Sequence, residues 1–470
     1  MEHRTARTKH MSLTDIIVYI CLGFYFAFTI LFWDFSNANA GVVATFLIIG
    51  IYSFLRIVLS RETISLDRML YIFLFIFMFY APLQQYLRGA NLWSVITISD
   101  RHYLAANGAI LLFIALYEVL RFLYRPRRVE REGTTLSPVF FAPEKFGDFT
   151  AFTLLGVNLV FFGILLVTGN VFSNNLDLQI SSSNLVIQLI NMMRFFPVSC
   201  FFVTWLQAKA RRKPFPITML FYAAEILAIY FPFNGNLSRF LLFGVYLTII
   251  TLFFANSRHR SLYFLALVVG FVFVFSAFNF FKYHDFTDIG KFVFTQTDFA
   301  HIDFDAYQML IITMNYTDTV GICGGQNLLT ALLSFVPRTV WSGKLNPTGQ
   351  IIFDYHRARF TNVSCPWFAE FYFAFGWVGV ALGGALSGWL FKWVDTFKNS
   401  RNMFKRSLFC VLIGFSIYIL RGALLPTVSY TLALALSLLL ACFICRATGG
   451  YQTVVPYRRG TASARTTTAK

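Results

Sequence analysis

Gly41-Val42-Val43-Ala44-Thr45-Phe46-Leu47-Ile48-Ile49-Gly50-Ile51-Tyr52-Ser53-Phe54-Leu55-Arg56-Ile57-Val58-Leu59-Ser60 carries a single charge, Arg56. About 20 apolar residues in a helix cross the hydrocarbon core of a bilayer, so this stretch reads as a transmembrane helix. Working outward from it, runs of the same kind recur at 13–33, 68–87, 103–122, 150–169, 185–207, 216–233, 238–255, 262–281, 367–391, 405–424 and 428–445. The runs at 103–122 and 216–233 are the weakest, with Glu118 and Glu225 inside them. The first run has no small-residue cleavage site and is expected to stay as an uncleaved helix. Composition agrees: 57% of the 470 residues are hydrophobic and 13% charged, against roughly 25% charged in a soluble domain. So little charge cannot wet a soluble surface, which excludes the soluble-enzyme, secreted-disulfide and disordered classes. The expected fold class is an all-α polytopic membrane protein of about twelve transmembrane helices.

Lysine and arginine in the gaps give the expected orientation. Counting the amino terminus as the first gap, odd-numbered gaps hold Arg4, Arg7 and Lys9; Arg61 and Arg68; Arg125, Arg127, Arg128 and Arg131; Arg211, Arg212 and Lys213; Arg258 and Arg260; Lys398 and Arg401; and Arg458 and Arg459. The even gaps near 34–40 and 170–184 hold none. Cytoplasmic loops carry such an excess, so both termini are expected in the cytoplasm. A missed helix would have inverted the pattern downstream. The net charge of +17 then belongs to membrane topology, and no nucleic-acid partner is expected.

The domain organisation follows: helices one to nine with short loops over 1–281, a long non-cytoplasmic loop over 282–366, helices ten to twelve over 367–446, and a basic cytoplasmic tail over 447–470. The loop is rich in Phe, Tyr and Trp, with helix-like stretches at 303–316 and 324–336. Their apolar faces suggest elements lying on or dipping into the membrane interface. A long structured loop in a compact protein is commonly functional.

Cations gather on that face. Arg239 opens helix eight, and the loop holds Arg338, Lys344, Arg357 and Arg359. The planar guanidinium fork matches two phosphate oxygens, so these five residues suit an anionic headgroup; snorkelling to lipid is the bland alternative. Candidate proton acceptors beside them are Asp354, His356 and, at the start of helix ten, Glu370.

Gly324-Gly325-Gln326-Asn327-Leu328-Leu329, Phe335-Val336-Pro337-Arg338-Thr339-Val340-Trp341-Ser342-Gly343-Lys344 and Ala369-Glu370-Phe371-Tyr372-Phe373-Ala374-Phe375-Gly376-Trp377-Val378-Gly379 are similar to the Wzy-type O-antigen polymerases, the bacterial oligosaccharide repeat-unit polymerases. The resemblance implies a glycosyltransferase in the bacterial inner membrane with its active site facing the periplasm. It would move the growing chain from one undecaprenyl-diphosphate-linked glycan onto another. Donor and acceptor glycans and membrane lipids are then the partners, a polysaccharide chain-length regulator is a candidate partner, and no cofactor is implied. In this reading Arg239, Arg338, Lys344, Arg357 and Arg359 bind the departing diphosphate, whose charge grows in the transition state. The resemblance carries that role most directly onto Arg338. The acceptor hydroxyl gives its proton to Glu370, His356 or Asp354.

Other features are expected to be structural. Arg194 lies about nine residues below the outer end of its helix and Glu225 about eight below that of the next. At about 1.5 Å rise per residue their depths agree, giving an ion pair, with lining of a headgroup cavity as the alternative. Cys323 and Cys365 are the only cysteines of the outer loop and form a candidate disulfide in an oxidising periplasm, worth roughly 3–4 kcal/mol. The other five cysteines read as small apolar residues. No Asp-x-Asp, His/Cys ligand spacing or phosphate-binding glycine loop is read, so no metal or nucleotide is expected. Three rivals remain: an O-antigen ligase acting on lipid A-core, a lipid-linked oligosaccharide flippase or other transporter, and a non-catalytic scaffold. A transporter needs ionisable groups near the midplane and two related halves, whereas here most non-cytoplasmic charge lies in one late loop and the halves do not match.

Overall fold

The computed structural model of the protein describes residues 12–60, 62–124, 140–141, 148–171, 184–211, 216–231, 238–254, 260–271, 299–358, 360, 363–400, 402–448 and 451–452. The helices are α1 (Leu13–Leu31), α2 (Ala40–Leu59), α3 (Leu66–Leu87), α4 (Asp100–Leu123), α5 (Asp148–Val167), α6 (Asn184–Arg211), α7 (Thr218–Ile229), α8 (Arg239–Phe254), α9 (Arg260–Val269), α10 (Ala306–Val320), α11 (Gln326–Leu332), α12 (Thr348–Tyr355), α13 (Trp367–Asp395), α14 (Met403–Arg421) and α15 (Leu424–Ala447). Each of the twelve expected runs overlaps a helix among the described residues, and 272–281 of the ninth lies outside them. Among the described residues, eight helices (α1 to α6, α13 and α15) are long and apolar enough to cross a membrane. Shorter apolar helices α7 and α8 occupy two more of the expected places. Among the described residues, the regular structure is helical apart from one antiparallel pairing of Phe140–Phe141 with Tyr451–Gln452. That pairing joins part of the expected 125–147 gap to the tail after α15. Most of the basic gap residues, including Arg4, Arg61, Arg125, Arg212, Arg258 and Arg458, lie outside the described residues.

The centre of the bundle is α3, apolar around nearly its whole circumference and buried along almost its whole length, as an all-round apolar helix must be. Ser65 caps it by accepting from Arg68 N at 3.1 Å. A π-turn at Ile76–Tyr80 interrupts it and stacks Phe77 on Phe304 of the long loop. Packing between α4 and α13 depends on small residues. A Cβ at Gly384 or Gly388 would overlap the carbonyl oxygens of Phe113 and Tyr117, so the two backbones meet as small-xxx-small pairs allow. α13 is broken at Phe375–Gly376, where Gly376 adopts φ +63°, a conformation that only glycine takes without strain.

Each end of the bundle has its own polar assembly. At one end Arg56 meets Asp67 (3.5 Å) and Glu118 (3.0 Å), and Arg121 meets Asp67 (3.2 Å) and Asp395 (4.0 Å). Tyr117 donates to Asp67 at 2.9 Å, and Tyr71 to Glu118. This clamp ties α2, α3, α4 and α13, and it explains the charge inside the 103–122 run.

At the other end, Gln84 and Gln85 finish α3 and hold the long loop where its description resumes. Gln84 accepts from Phe299 N at 2.9 Å, while Gln85 donates to Phe299 O and Phe304 O at 2.8 and 3.0 Å. The chain then enters the bundle as α10, whose residues Ala306 to Met314 are all buried. The helix expected near 303–316 is therefore an interior element and not one lying on the interface. Its outer half shares a second hydrophobic cluster, with Met309, Ile312 and Tyr316 against Ile352, Phe353 and Phe373. The loop helices and the start of α13 thus form one packed unit.

Candidate functional site

Of the three stretches quoted for the resemblance, Gly324–Leu329 and Ala369–Gly379 meet at Glu370. In the first turn of α13, this residue is 1% exposed. Its carboxylate accepts from Asn327 Nδ2 (2.8 Å), Thr348 Oγ1 (2.6 Å) and Leu424 N (2.7 Å). It therefore joins α11, α12, α13 and the exposed amides that begin α15. The Cys365 thiol also bonds to it, and Cys323 N donates to Phe373 O at 3.0 Å. Both carboxylate oxygens accept from protein donors and the side chain is buried, so Glu370 holds the loop helices to α13 and α15. It pairs with neither Arg338 nor Arg421.

A second constellation surrounds the turn His301-Ile302-Asp303-Phe304-Asp305. Arg239 Nη1 meets Asp303 Oδ2 at 2.6 Å, and His301 Nδ1 lies 3.1 Å from the same oxygen. Arg421 Nη2 meets Asp305 Oδ1 at 2.8 Å, where Ser364 Oγ also donates at 2.6 Å. Arg421 further holds the carbonyls of Asp303 (2.9 Å) and Ile302 (3.1 Å) and stacks over Phe240 at 4.0 Å. Burial pushes Asp303 up, but the His301 bond and the Arg239 and Arg421 guanidinium groups outweigh it, and the carboxyl sits below its usual range. At Asp305 burial wins over Arg421 and Ser364, and the carboxyl is raised. Its Oδ2 is buried without a hydrogen-bond partner. The expectation that the chain has no Asp-x-Asp is corrected: Asp303-Phe304-Asp305 has that spacing. Here the two carboxylates are paired with guanidinium groups from α8 and α14.

The remaining cations differ in what they are free to do. Lys344 is 4% exposed, and its ammonium donates to Leu333 O (3.3 Å), Ser334 O (2.7 Å) and Val336 O (2.8 Å). Those three bonds use all its donors on the carbonyls that end α11. Burial, then Arg338, lowers its pKa. The expectation that Lys344 binds a diphosphate is corrected accordingly. Arg338 is exposed, and its fork is aimed by Lys344 O (3.0 Å) and Asn346 Oδ1 (2.6 Å). Arg357 is also exposed and has φ +54°. It closes α12 where glycine normally stands, with Arg357 N bonding Asp354 O (3.1 Å) and Ala358 N bonding Phe353 O (3.0 Å). Arg359 lies outside the described residues. His356, between the exposed Asp354 and Arg357, is half-buried; burial lowers its pKa, and among the described residues its Nε2 has no hydrogen-bond partner. No family model, no curated protein and no solved structure matches the chain.

Two further expectations are corrected. Arg194 and Glu225 do not pair: Arg194 Nε donates to Asn170 O at 3.0 Å, just beyond the end of α5, while Glu225 is bound by Asn158 in the middle of that helix. The depth count took α7 to run over 216–233, whereas it has 12 residues, so the shared depth was false. Cys323 and Cys365 are both free thiols. Cys323 donates to Asn327 Oδ1 at 3.1 Å, and Cys365 turns to Glu370, so each thiol already serves the Glu370 hub. Burial raises both thiols.

Proposed function

We propose that this protein is a membrane-embedded glycosyltransferase that polymerises undecaprenyl-diphosphate-linked oligosaccharide repeat units at the periplasmic face of the bacterial inner membrane. The observation that carries the reading is the exposure of two guanidinium groups, Arg338, held by Lys344 O and Asn346 Oδ1, and Arg357, on a loop that the buried Glu370 and Asp303–Asp305 assemblies lock to the bundle. The residues around Glu370 are those whose pattern resembles the repeat-unit polymerases.

In the proposed reaction the bond between the donor's anomeric carbon and its diphosphate breaks, and an acceptor hydroxyl oxygen forms the new glycosidic bond. The electron pair leaves with the diphosphate. Arg338 and Arg357 meet the charge that develops there, a contact stronger in the transition state than before it. The acceptor proton passes to neutral His356, whose lowered pKa keeps the imidazole available as a base, and then to solvent. Arg239 and Arg421 hold the 301–305 turn and support the loop without touching substrate.

A strain lacking the protein tests this reading. Lipopolysaccharide capped by a single repeat unit is the expected phenotype. Bare core would mean a ligase, and lipid-linked repeats trapped on the cytoplasmic side would mean a flippase; either result overturns the proposal.

A further inference from the structure

Helix α11 is inside out for a helix in water. Its protein-facing side holds Asn327 and Thr330, both buried, whereas Leu329 and Leu332 are 48% and 68% exposed. A helix on a soluble protein shows the reverse, with its apolar stripe inward and its polar face to solvent. The outward apolar surface continues into Ile322 before the helix and Val340 after it, 56% and 77% exposed. From there it runs onto α13, where Trp377 and Val378 are 44% and 65% exposed. Because α11 packs on α13 and α15, both long and apolar enough to cross a membrane, it lies beside those helices and not beyond them. Across 320–341 the only charged residue is Arg338.

We propose that residues 320–341 form an arm embedded in the leaflet at this end of the bundle, with lipid acyl chains against its apolar face and Arg338 at the level of the lipid phosphates. Three observations favour lipid over a protein partner. The surface is continuous with the outward face of a spanning helix. Its polar residues Asn327, Thr330 and Ser334 are turned inward, where Asn327 finds Glu370. The next cation, Lys344, is also turned inward and satisfied by carbonyls, so the arm shows one charge to its surroundings. A single arginine at the edge of an apolar face reaches the phosphate layer by extending its side chain. Soluble monomers rarely expose contiguous apolar patches above a few hundred Å². The inference rests on exposure and packing alone and stands whether or not the protein is a polymerase.

The test is collision accessibility of a genetically encoded spin-labelled amino acid placed singly at Leu332, Val340 and Asp354. The full chain is reconstituted in phosphatidylethanolamine–phosphatidylglycerol vesicles, after size-exclusion chromatography has selected folded protein. These side chains point away from the core, so the label displaces no packing. Oxygen, which concentrates in acyl chains, should relax the labels at 332 and 340 several-fold more than a water-soluble nickel chelate, with the opposite ratio at 354. Nickel accessibility at 332 and 340 equal to that at 354 would overturn the proposal. So would exclusion of both colliders together with dipolar coupling between labels on two copies, which would assign the face to a second copy of the chain.

Discussion

At one end of the bundle a single oxygen of Asp67 takes Arg56, Arg121 and the Tyr117 hydroxyl. At the other, Asp303 and Asp305 take one arginine each, and Asp305 keeps a buried oxygen without a partner. The first assembly joins side chains of four helices and closes on itself. The second holds a turn, and beyond it the chain presents Arg338 and Arg357 to the outside. The difference is one of purpose: charges that saturate one another supply cohesion, and charges that fix a loop leave other cations available for a ligand. A buried ion pair is weak evidence of net stability, but breaking one by removing a single partner is costly.

That contrast is open to attack by mutation. Asp67→Ala should have the largest effect, because three donors lose their acceptor at once. We predict a loss of roughly 3–5 kcal/mol, read as a collapse of folded yield and thermal stability in detergent, with polymer lost in parallel. Full polymer from an unaltered yield would show that the clamp is dispensable. Arg421→Gln leaves Asp305 buried and unpaired and should also lower thermal stability. Adding Asp305→Asn removes the stranded charge, so stability and polymerisation should recover together. Recovery of stability without polymer would mean that Arg421 touches substrate.

Much of this was legible in the sequence, because a bilayer imposes length and apolarity on every crossing segment. The polytopic, all-helical architecture could be read from residues 41–60 outward, and among the described residues eight of the runs lie on helices long and apolar enough to cross a membrane. What could not be read depends on which groups a fold brings together. Nothing in the sequence says that Lys344 will meet the carbonyls ending α11, since that contact exists only once the helix stops at Leu332. Glu370 reads as a general base by type and position, yet the Leu424 amide and the side chains of Asn327 and Thr348 claim it. Asp303 and Asp305 were legible by spacing and were hidden inside a segment read for its apolar period.

Arg357→Gly separates stability from function at the outer end. A left-handed residue with a Cβ costs about 1 kcal/mol relative to glycine, so the variant should melt slightly higher while its polymer shortens. A lower melting temperature would remove the argument from strain. The smallest effect concerns pH. Because burial depresses the His356 pKa in the folded state, the unfolded chain binds the extra proton first, and the stability tied to this group falls as pH drops below the unfolded value near 6.5. Polymerisation should fade only at a lower pH, once the folded imidazole itself titrates. His356→Gln should abolish that acid limb, and an unchanged limb would direct the search for the base elsewhere.

The most direct measurement is ladder formation by purified protein in vesicles supplied with a lipid-diphosphate-linked repeat unit, comparing the native chain with Arg338→Ala and Arg338→Lys. The native protein should extend the repeat into a ladder, and both variants, equally folded, should leave it unextended, because a point charge does not reproduce the two-pronged phosphate contact. A full ladder from Arg338→Ala would contradict the proposal that this guanidinium meets the departing diphosphate.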